Sequence, residues 1–327
     1  MEANVIRYYN YGDPIDVLKM EEKNIIVPGP EEILVRMIAR TINPSDIIPV
    51  RGAYPHRTIL PAIPGYEGVG VVEHTGKRVS PIMMNKRVLP LMGEGTWQEI
   101  VRMPAERAIM VPDYLDNDTA SQLYINPVTA WLICVNVLNL KPGDTLVVNA
   151  CGSSIGRIFT QLSTIFGFQL IAVTRNDNHT KDLLRIGAAH VINTSYISVR
   201  EAVLQLTEGR GATAAIDCIG GWDGIQLVGG VKSGGTVLCI GLLSGISVNW
   251  AEVTRNTGVN VRLFWLRQWV HNSSPQTWHE VFGNIIKLVK DGKLELMKVG
   301  ARFDLSNFKY AIQAVESGIH GKVLLTS

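Results

Sequence analysis

Thr145-Leu-Val-Val-Asn-Ala-Cys-Gly-Ser-Ser-Ile-Gly156 decides how this chain is read. The turn Pro142-Gly143-Asp144 launches a short apolar, β-branched run, a loop of small residues follows, and apolar positions then recur at Ile155, Ile158, Phe159, Leu162, Ile165 and Phe166. That order predicts strand, tight turn and helix. In such a unit the N–H groups of the turn and of the helix N-terminus converge on one spot, which suits an anionic pyrophosphate without any basic side chain. A strict G-x-G-x-x-G would place glycines where Cys151, Ser153 and Gly156 stand, and only the last is glycine, with Gly152 adjacent. The stretch therefore reads as a dinucleotide cradle over Gly152, Ser153, Ser154, Ile155 and Gly156, or as a plain strand–helix connection whose small residues serve packing.

The same grammar extends downstream. Strand-like runs at 145–149, 169–174, 190–193, 213–218, 235–240 and 259–265, with helical patterns between most of them, predict a parallel sheet covered on both faces. The fold class is α/β, doubly wound. Upstream, short β-rich runs at 4–9, 33–43, 68–73, 87–91, 97–102 and 108–111 alternate with Gly/Pro turns, the pattern of a partly closed, mostly antiparallel β domain. The final ~60 residues (helical at 275–289 and 305–316, extended at 302–304 and 322–326) break the alternation, so the chain is expected to return to the first domain. The predicted division is 1–121 with 266–327 against 122–265.

Composition narrows the classes. With 327 residues, 46% hydrophobic and 18% charged, the chain suits about two globular domains. A net charge of +2 and the absence of a Lys/Arg run give no footprint for nucleic acid. No apolar run approaches the ~20 residues of a membrane span, and Met1-Glu2-Ala3-Asn4 opens without a basic and apolar leader, so a cytoplasmic protein without membrane partners is expected. Cys134, Cys151, Cys218 and Cys239 lie far apart with no C-x-x-C, and the histidines show no H-E-x-x-H. No metal site is expected.

The second strand ends at Thr174-Arg175-Asn176, about 20 residues after the turn, where an NAD site places an acid for the ribose hydroxyl. Arg175 can instead hold an adenosine 2′-phosphate, so NADPH is expected over NADH. An arginine at a strand end also serves as a solvated surface residue, and Asp177 nearby pulls the other way.

The most distinctive loops carry a resemblance. Ile42-Asn-Pro-Ser-Asp46, Tyr54 following Gly52, Glu67-Gly-Val69, Gly95-Thr-Trp97, Asn126-Pro127, the turn at 149–156, Thr174-Arg175 and Phe264-Trp-Leu-Arg-Gln-Trp269 together resemble the medium-chain dehydrogenase/reductase superfamily. Within it the chain is similar to the 2-enoyl thioester reductases related to the mitochondrial enzyme. The resemblance implies a Rossmann domain and a GroES-like catalytic domain. It also implies a zinc-free branch, because Tyr66 precedes Glu67 where zinc enzymes have a histidine, and the loop 43–46 has no cysteine.

In those reductases hydride goes to the β-carbon of a conjugated thioester and a tyrosine gives a proton to the α-carbon. The resemblance puts Tyr54 in that role and Asn43 beside the reacting centre as an orienting side chain. Asn126, Ile240-Gly241-Leu242-Leu243, Phe264-Trp265-Leu266 and Lys322 are implied cofactor contacts, the last toward a phosphate. Each has a plainer use: Asn43 in an Asx-type turn, Asn126 as a helix cap, the aromatics in strand packing, Lys322 in water. The family's double glycine is Gly241-Leu242 here. The expected function is an NADPH-dependent enoyl thioester reductase acting on a small molecule. An NADPH:quinone oxidoreductase and a non-catalytic NADPH-binding protein are the rivals. The run 258–265 reads as an edge strand, so a homodimer is expected.

Overall fold

The computed structural model describes residues 2–53, 55–91, 95–255 and 257–327. The chain forms two units, one comprising Met1–Ile125, Ser273–Ile286 and Leu296–Ser327, the other Asn126–Asn272 with Lys287–Glu295.

The second unit is built on six strands: β1 (Thr145–Val148), β2 (Gln169–Thr174), β3 (His190–Asn193), β4 (Ala212–Asp217), β5 (Val231–Cys239) and β6 (Asn260–Leu263). They lie in the order β3-β2-β1-β4-β5-β6 and every pairing is parallel. This is the doubly wound order, in which the chain turns one way from β1 and the other way from β4. Each of the six runs read from the sequence overlaps one of these strands, the fifth beginning four residues earlier than expected, at Val231. Val147, Ile171, Val173, Ala215 and Val237 of the sheet pack with Val199, Val203, Leu227 and Val228 of the helices Val199–Leu206 and Gly221–Val228. Burying each large side chain contributes roughly 1.5–3 kcal/mol, so this face alone outweighs any single polar contact in the unit.

Helix α1 (Ser154–Phe166) shows why its sequence stops and starts where it does. Ser153 caps it by accepting from the Gly156 N–H, Gly167 ends it at φ +78°, and Ile158, Phe159 and Leu162 form its buried stripe. The buried Gln161 exchanges two bonds with the backbone of Glu295, at 2.9 and 2.7 Å, which holds Lys287–Glu295 to this unit.

The first unit carries a mostly antiparallel sheet of seven strands, in the order Val299–Asp304, Lys322–Thr326, Glu32–Thr41, Val69–Thr75, Arg87–Leu89 and Ile109–Met110, with Ile100–Pro104 also on Glu32–Thr41. Only Val299–Asp304 with Lys322–Thr326 is parallel. The closing strand sets Leu324 opposite Thr41 and Leu325 opposite Arg40, a register that brings Lys322 level with Asn43. Trp278 and Phe282 pack on Tyr124, ring centroids 5.6 and 6.0 Å away, and the Trp278 indole donates to the Arg107 carbonyl.

Among the elements that went unforeseen, two depart most from the expected pattern. Lys19–Asn24 is a strand paired with Glu2–Arg7, although Lys-Met-Glu-Glu-Lys-Asn lacks apolar alternation and stays largely exposed. Leu266–Asn272 is helical, so the strand expected over 259–265 ends at Leu263. All four cysteines are buried and unpaired. Among the described residues, no helix is long and apolar enough to cross a membrane.

Candidate active site

In the second unit the loop between β1 and α1 turns on Ala150, held at φ +49°, a left-handed conformation that disfavours a Cβ. The turn is tied back by Ser153 N–H to the Ala150 carbonyl, and Cys151 N–H bonds the Val173 carbonyl of β2. Its glycines are sterically fixed. A Cβ at Gly152 would lie 2.3 Å from the His179 ring, and one at Gly156 would lie 2.5 Å from the Cys151 backbone. Gly156 therefore fills the close-packing place of a dinucleotide turn. Ser153 stands at the second glycine position, its hydroxyl folded onto the Gly156 N–H at 3.4 Å rather than projecting outward. Gly152, Ser153, Ser154 and Ile155 are partly exposed around the helix N-terminus, a set of donors that fits a pyrophosphate.

At the end of β2, Thr174 is buried and Arg175 and Asn176 are exposed. The Asn176 side chain accepts from the Asn178 N–H, and Asp177 accepts from the Thr180 hydroxyl at 3.4 Å. Arg157, one turn into α1, pairs with Asp182. Ile240, Gly241 and Leu242 follow β5 half-buried, with Leu243 exposed. After β6, Phe264 and Leu266 are half-buried and Trp265 exposed. Gly241 admits no side chain, because a Cβ would lie 2.5 Å from the Cys218 carbonyl. Asn126 lies in the first turn of the helix Ile125–Leu132.

The first unit holds a buried polar cluster. Asn43 heads the short helix Pro44–Ile47, and its N–H donates to Asp46 at 2.7 Å. Its amide nitrogen donates to Glu67 at 2.6 Å, while its amide oxygen accepts from the Lys322 ammonium at 2.6 Å. The other Glu67 oxygen accepts from the N–H groups of Ile125 and Tyr124, at 2.8 and 3.3 Å. All four side chains are buried. Lys322, expected in water by its plainer reading, is thus a core residue whose ammonium fixes the orientation of Asn43.

Burial pushes the Asp46 carboxyl up to about 8, against the pull of the Asn43 and Tyr66 amides and Lys322, with the Glu67 charge adding to the rise. Burial raises Glu67 as well, opposed first by Lys322, and lowers Lys322, opposed by Glu67 and Asp46. An acid raised to about 8 keeps its proton at neutral pH, so Asp46 is a protonated member of the cluster. Sequence reasoning named Asn43 and Lys322 and missed the carboxyls between them. Asp46 and Glu67 sit inside the quoted loops, and two acids in otherwise apolar, Gly/Pro-rich segments were the available signal. Tyr54 lies outside the described residues.

The profile of the alcohol dehydrogenase GroES-like domain matches residues 29–113, and that of the zinc-binding dehydrogenases matches 154–286. The mitochondrial enoyl-[acyl-carrier-protein] reductase of Xenopus tropicalis is 32% identical over 298 residues, 89% of this chain and 84% of the relative. The chain belongs to the medium-chain dehydrogenase/reductase superfamily. A Bacillus thuringiensis superfamily member assigned as an NADPH:quinone reductase has a solved structure that superposes with a TM-score of 0.97, at 51% identity, covering 100% of this chain and 99% of that one. Escherichia coli quinone oxidoreductase, at 22% identity and a TM-score of 0.90 over 99% of this chain and 100% of that one, shares the fold.

The residues of this superfamily member do not fit a zinc ion. Asn43 and Glu67 are committed to each other, to Lys322 and to backbone N–H groups, and an ammonium 2.6 Å from Asn43 repels a cation there. Among the described residues, no group of three His, Cys, Asp or Glu could hold a metal.

The cluster gives stability a definite pH dependence. Because the Asp46 acid rises from 3.8 to about 8, the folded protein holds that proton more tightly than the unfolded chain. Its contribution is complete below the unfolded value and is lost as pH climbs through 8. Glu67 acts in the same sense. Lys322, lowered by burial, acts oppositely as pH approaches its ordinary alkaline value. Asp46→Asn should flatten the decline in urea midpoint between pH 5 and 8, a range inside the window from 3.8 to about 8. Parallel pH profiles for the wild type and the variant would refute this assignment.

Proposed function

We propose that this NADPH-dependent oxidoreductase reduces a conjugated carbon–carbon double bond, with a 2-enoyl thioester as its substrate class. The reading is carried by the 32% identity to an enoyl reductase across 89% of the chain, and Asn43, Tyr54 and the stretch from Phe264 to Trp269 are the residues it relies on. The donors at the start of α1 would hold the pyrophosphate, with Ser153, Ser154 and Ile155 around it and Gly152 and Gly156 keeping the turn tight. Arg175 would hold the 2′-phosphate with its fork of donors, beside Thr174 and Asn176. Asn126 and the segments 240–243 and 264–266 complete the proposed contacts; Lys322, whose buried ammonium is spent on Asn43, is left out of them.

When bound, NADPH supplies a hydride to the β-carbon. The chain's own residues do the rest. A tyrosine phenol, with an ordinary pKa near ~10, is protonated at neutral pH, so Tyr54 is a competent donor to the α-carbon. The Lys322–Asn43–Glu67 bonds fix the orientation of the Asn43 amide beside the proposed reacting centre.

A second reading, reduction of quinones, is favoured by the 51% identity to a protein assigned that activity. Quinones take protons at oxygen and can draw them from water, so that reaction does not need Tyr54. A homodimer through β6 also belongs to this proposal. Among the described residues that strand has a neighbour only in β5, and Leu263 and Trp265 are 58% and 42% exposed at its end. Pairing with a two-fold mate would cover the open edge. Four buried, unpaired cysteines fit a cytoplasmic, reducing compartment.

Three outcomes test these readings. Arg175→Ala should erode the preference for NADPH over NADH by roughly 10-fold to 100-fold, the cost of one charged phosphate contact; equal affinities in the wild type would remove the 2′-phosphate site. Sedimentation at micromolar concentration should give a dimer, and a monomer would sink the β6 pairing. Tyr54→Phe keeps the ring and removes the transferable proton, so crotonyl thioester turnover should fall by about 10²–10⁴-fold with NADPH affinity nearly unchanged and quinone reduction much less affected. Wild-type rates on the thioester, with chemistry rate-limiting, would favour the quinone reading.

A further inference from the structure

The strand order of the second unit reverses between β1 and β4, and one buried polar pair closes the sheet at the carboxyl ends of those two strands. Asn149 follows β1 and Asp217 ends β4; they are 2% and 0% exposed. The Asn149 amide nitrogen donates to Asp217 Oδ1 at 2.7 Å, and its oxygen accepts from the Cys218 N–H at 2.7 Å. Asp217 Oδ1 also accepts from the N–H groups of Ile219 and Gly220, both at 3.0 Å, and Oδ2 accepts from Gly220 at 3.2 Å. On its far side a Cβ at Gly224 would lie 2.4 Å from Oδ2, so the carboxylate occupies space that only a glycine there leaves open.

The pair reaches three loops. Asn149 is the residue before the strained Ala150 that opens the turn to α1. Cys218 to Gly220 form the loop after β4, and that loop binds the segment after β5: Leu243 N–H to the Cys218 carbonyl, and the Ser244 N–H and hydroxyl to the Ile219 carbonyl at 2.9 and 2.7 Å. A carboxylate in the core is costly, and here three amide donors satisfy it with no ion pair among the described residues. A neutral side chain could fill the same volume. What the charge adds is an array of N–H groups held rigid at the strand ends, where doubly wound sheets bind their ligands.

We infer that Asp217, acting through Asn149 and the amides of 218–220, is a positioning residue that sets the turn 149–156 and the segment 240–244 for a dinucleotide. The inference rests on the dinucleotide part of the proposed function and not on the identity of the acceptor.

The bond pattern supplies its own test. In Asn149→Asp two carboxylates face each other; in Asp217→Asn an NH2 donor stands where Oδ2 accepts from the Gly220 N–H. The NADPH dissociation constant, measured by fluorescence titration on folded protein alongside urea midpoints without cofactor, should rise roughly 10-fold to 100-fold in each variant, as for loss of a charge-assisted bond. Variants that lose urea stability but bind NADPH as the wild type does would overturn the inference. Where either variant does not fold, Asn149→Ala, which leaves the Ile219 and Gly220 N–H groups on Asp217, decides: a raised dissociation constant supports the inference and an unchanged one overturns it. A wild type that binds no NADPH would overturn the dinucleotide reading itself, and this inference with it.

Discussion

Helix α1 lies against the loop that precedes it only because position 156 has no side chain. A single Cβ would enter the Cys151 backbone, and the first turn of the helix would have to lift away. The rest of the second unit depends on that approach. It lets Ile158, Phe159 and Leu162 reach the core and leaves the helix N-terminus open beside a turn already strained at Ala150. Steric exclusion, more than any attractive contact, shapes the place where an anion would sit.

The first unit solves a different problem, that of burying charge. Lys322, Glu67 and Asp46 each lose water, and the attraction of Lys322 for the acids opposes that loss without guaranteeing a net gain. What the cluster does secure is register. The closing strand carries Lys322 to the level of Asn43 because Leu324 pairs with Thr41. A slip of one residue would turn the ammonium to the opposite face and leave Asn43 and Glu67 without their cation. The last strand of the chain is thereby locked to a loop some 280 residues earlier, a separation of 279 in the Lys322–Asn43 bond.

Much of this was legible from residue patterns. The parallel sheet was readable because each of its strands is an apolar run between helical patterns, and the cradle because Gly156 follows a strand and opens a helix. The strand Lys19–Asn24 was not, because its four charged side chains hide the period of two; its pairing with Glu2–Arg7 supplies what its own composition lacks. The hold of Lys287–Glu295 on the second unit rests on Gln161, a polar residue in an otherwise apolar stripe, and nothing in that stripe announces a partner 134 residues away. The buried cluster was half visible. Asn43 and Lys322 carry a family pattern, whereas the carboxyls of Asp46 and Glu67 gain meaning only when folding removes them from water. Local periodicity survives in a sequence; desolvation does not.

The four cysteines carry a last consequence. Each is buried, and burial pushes every thiol above its ordinary value. Thiolate is the reactive form, so at neutral pH these sulfurs are neither ionised nor reachable. An oxidoreductase that handles electron pairs in this way keeps its thiols out of the redox chemistry around it: glutathione and thiol-directed electrophiles meet no thiolate at the surface, and the ratio of the nicotinamide pool, not thiol–disulfide exchange, is the route by which cellular redox state reaches the protein.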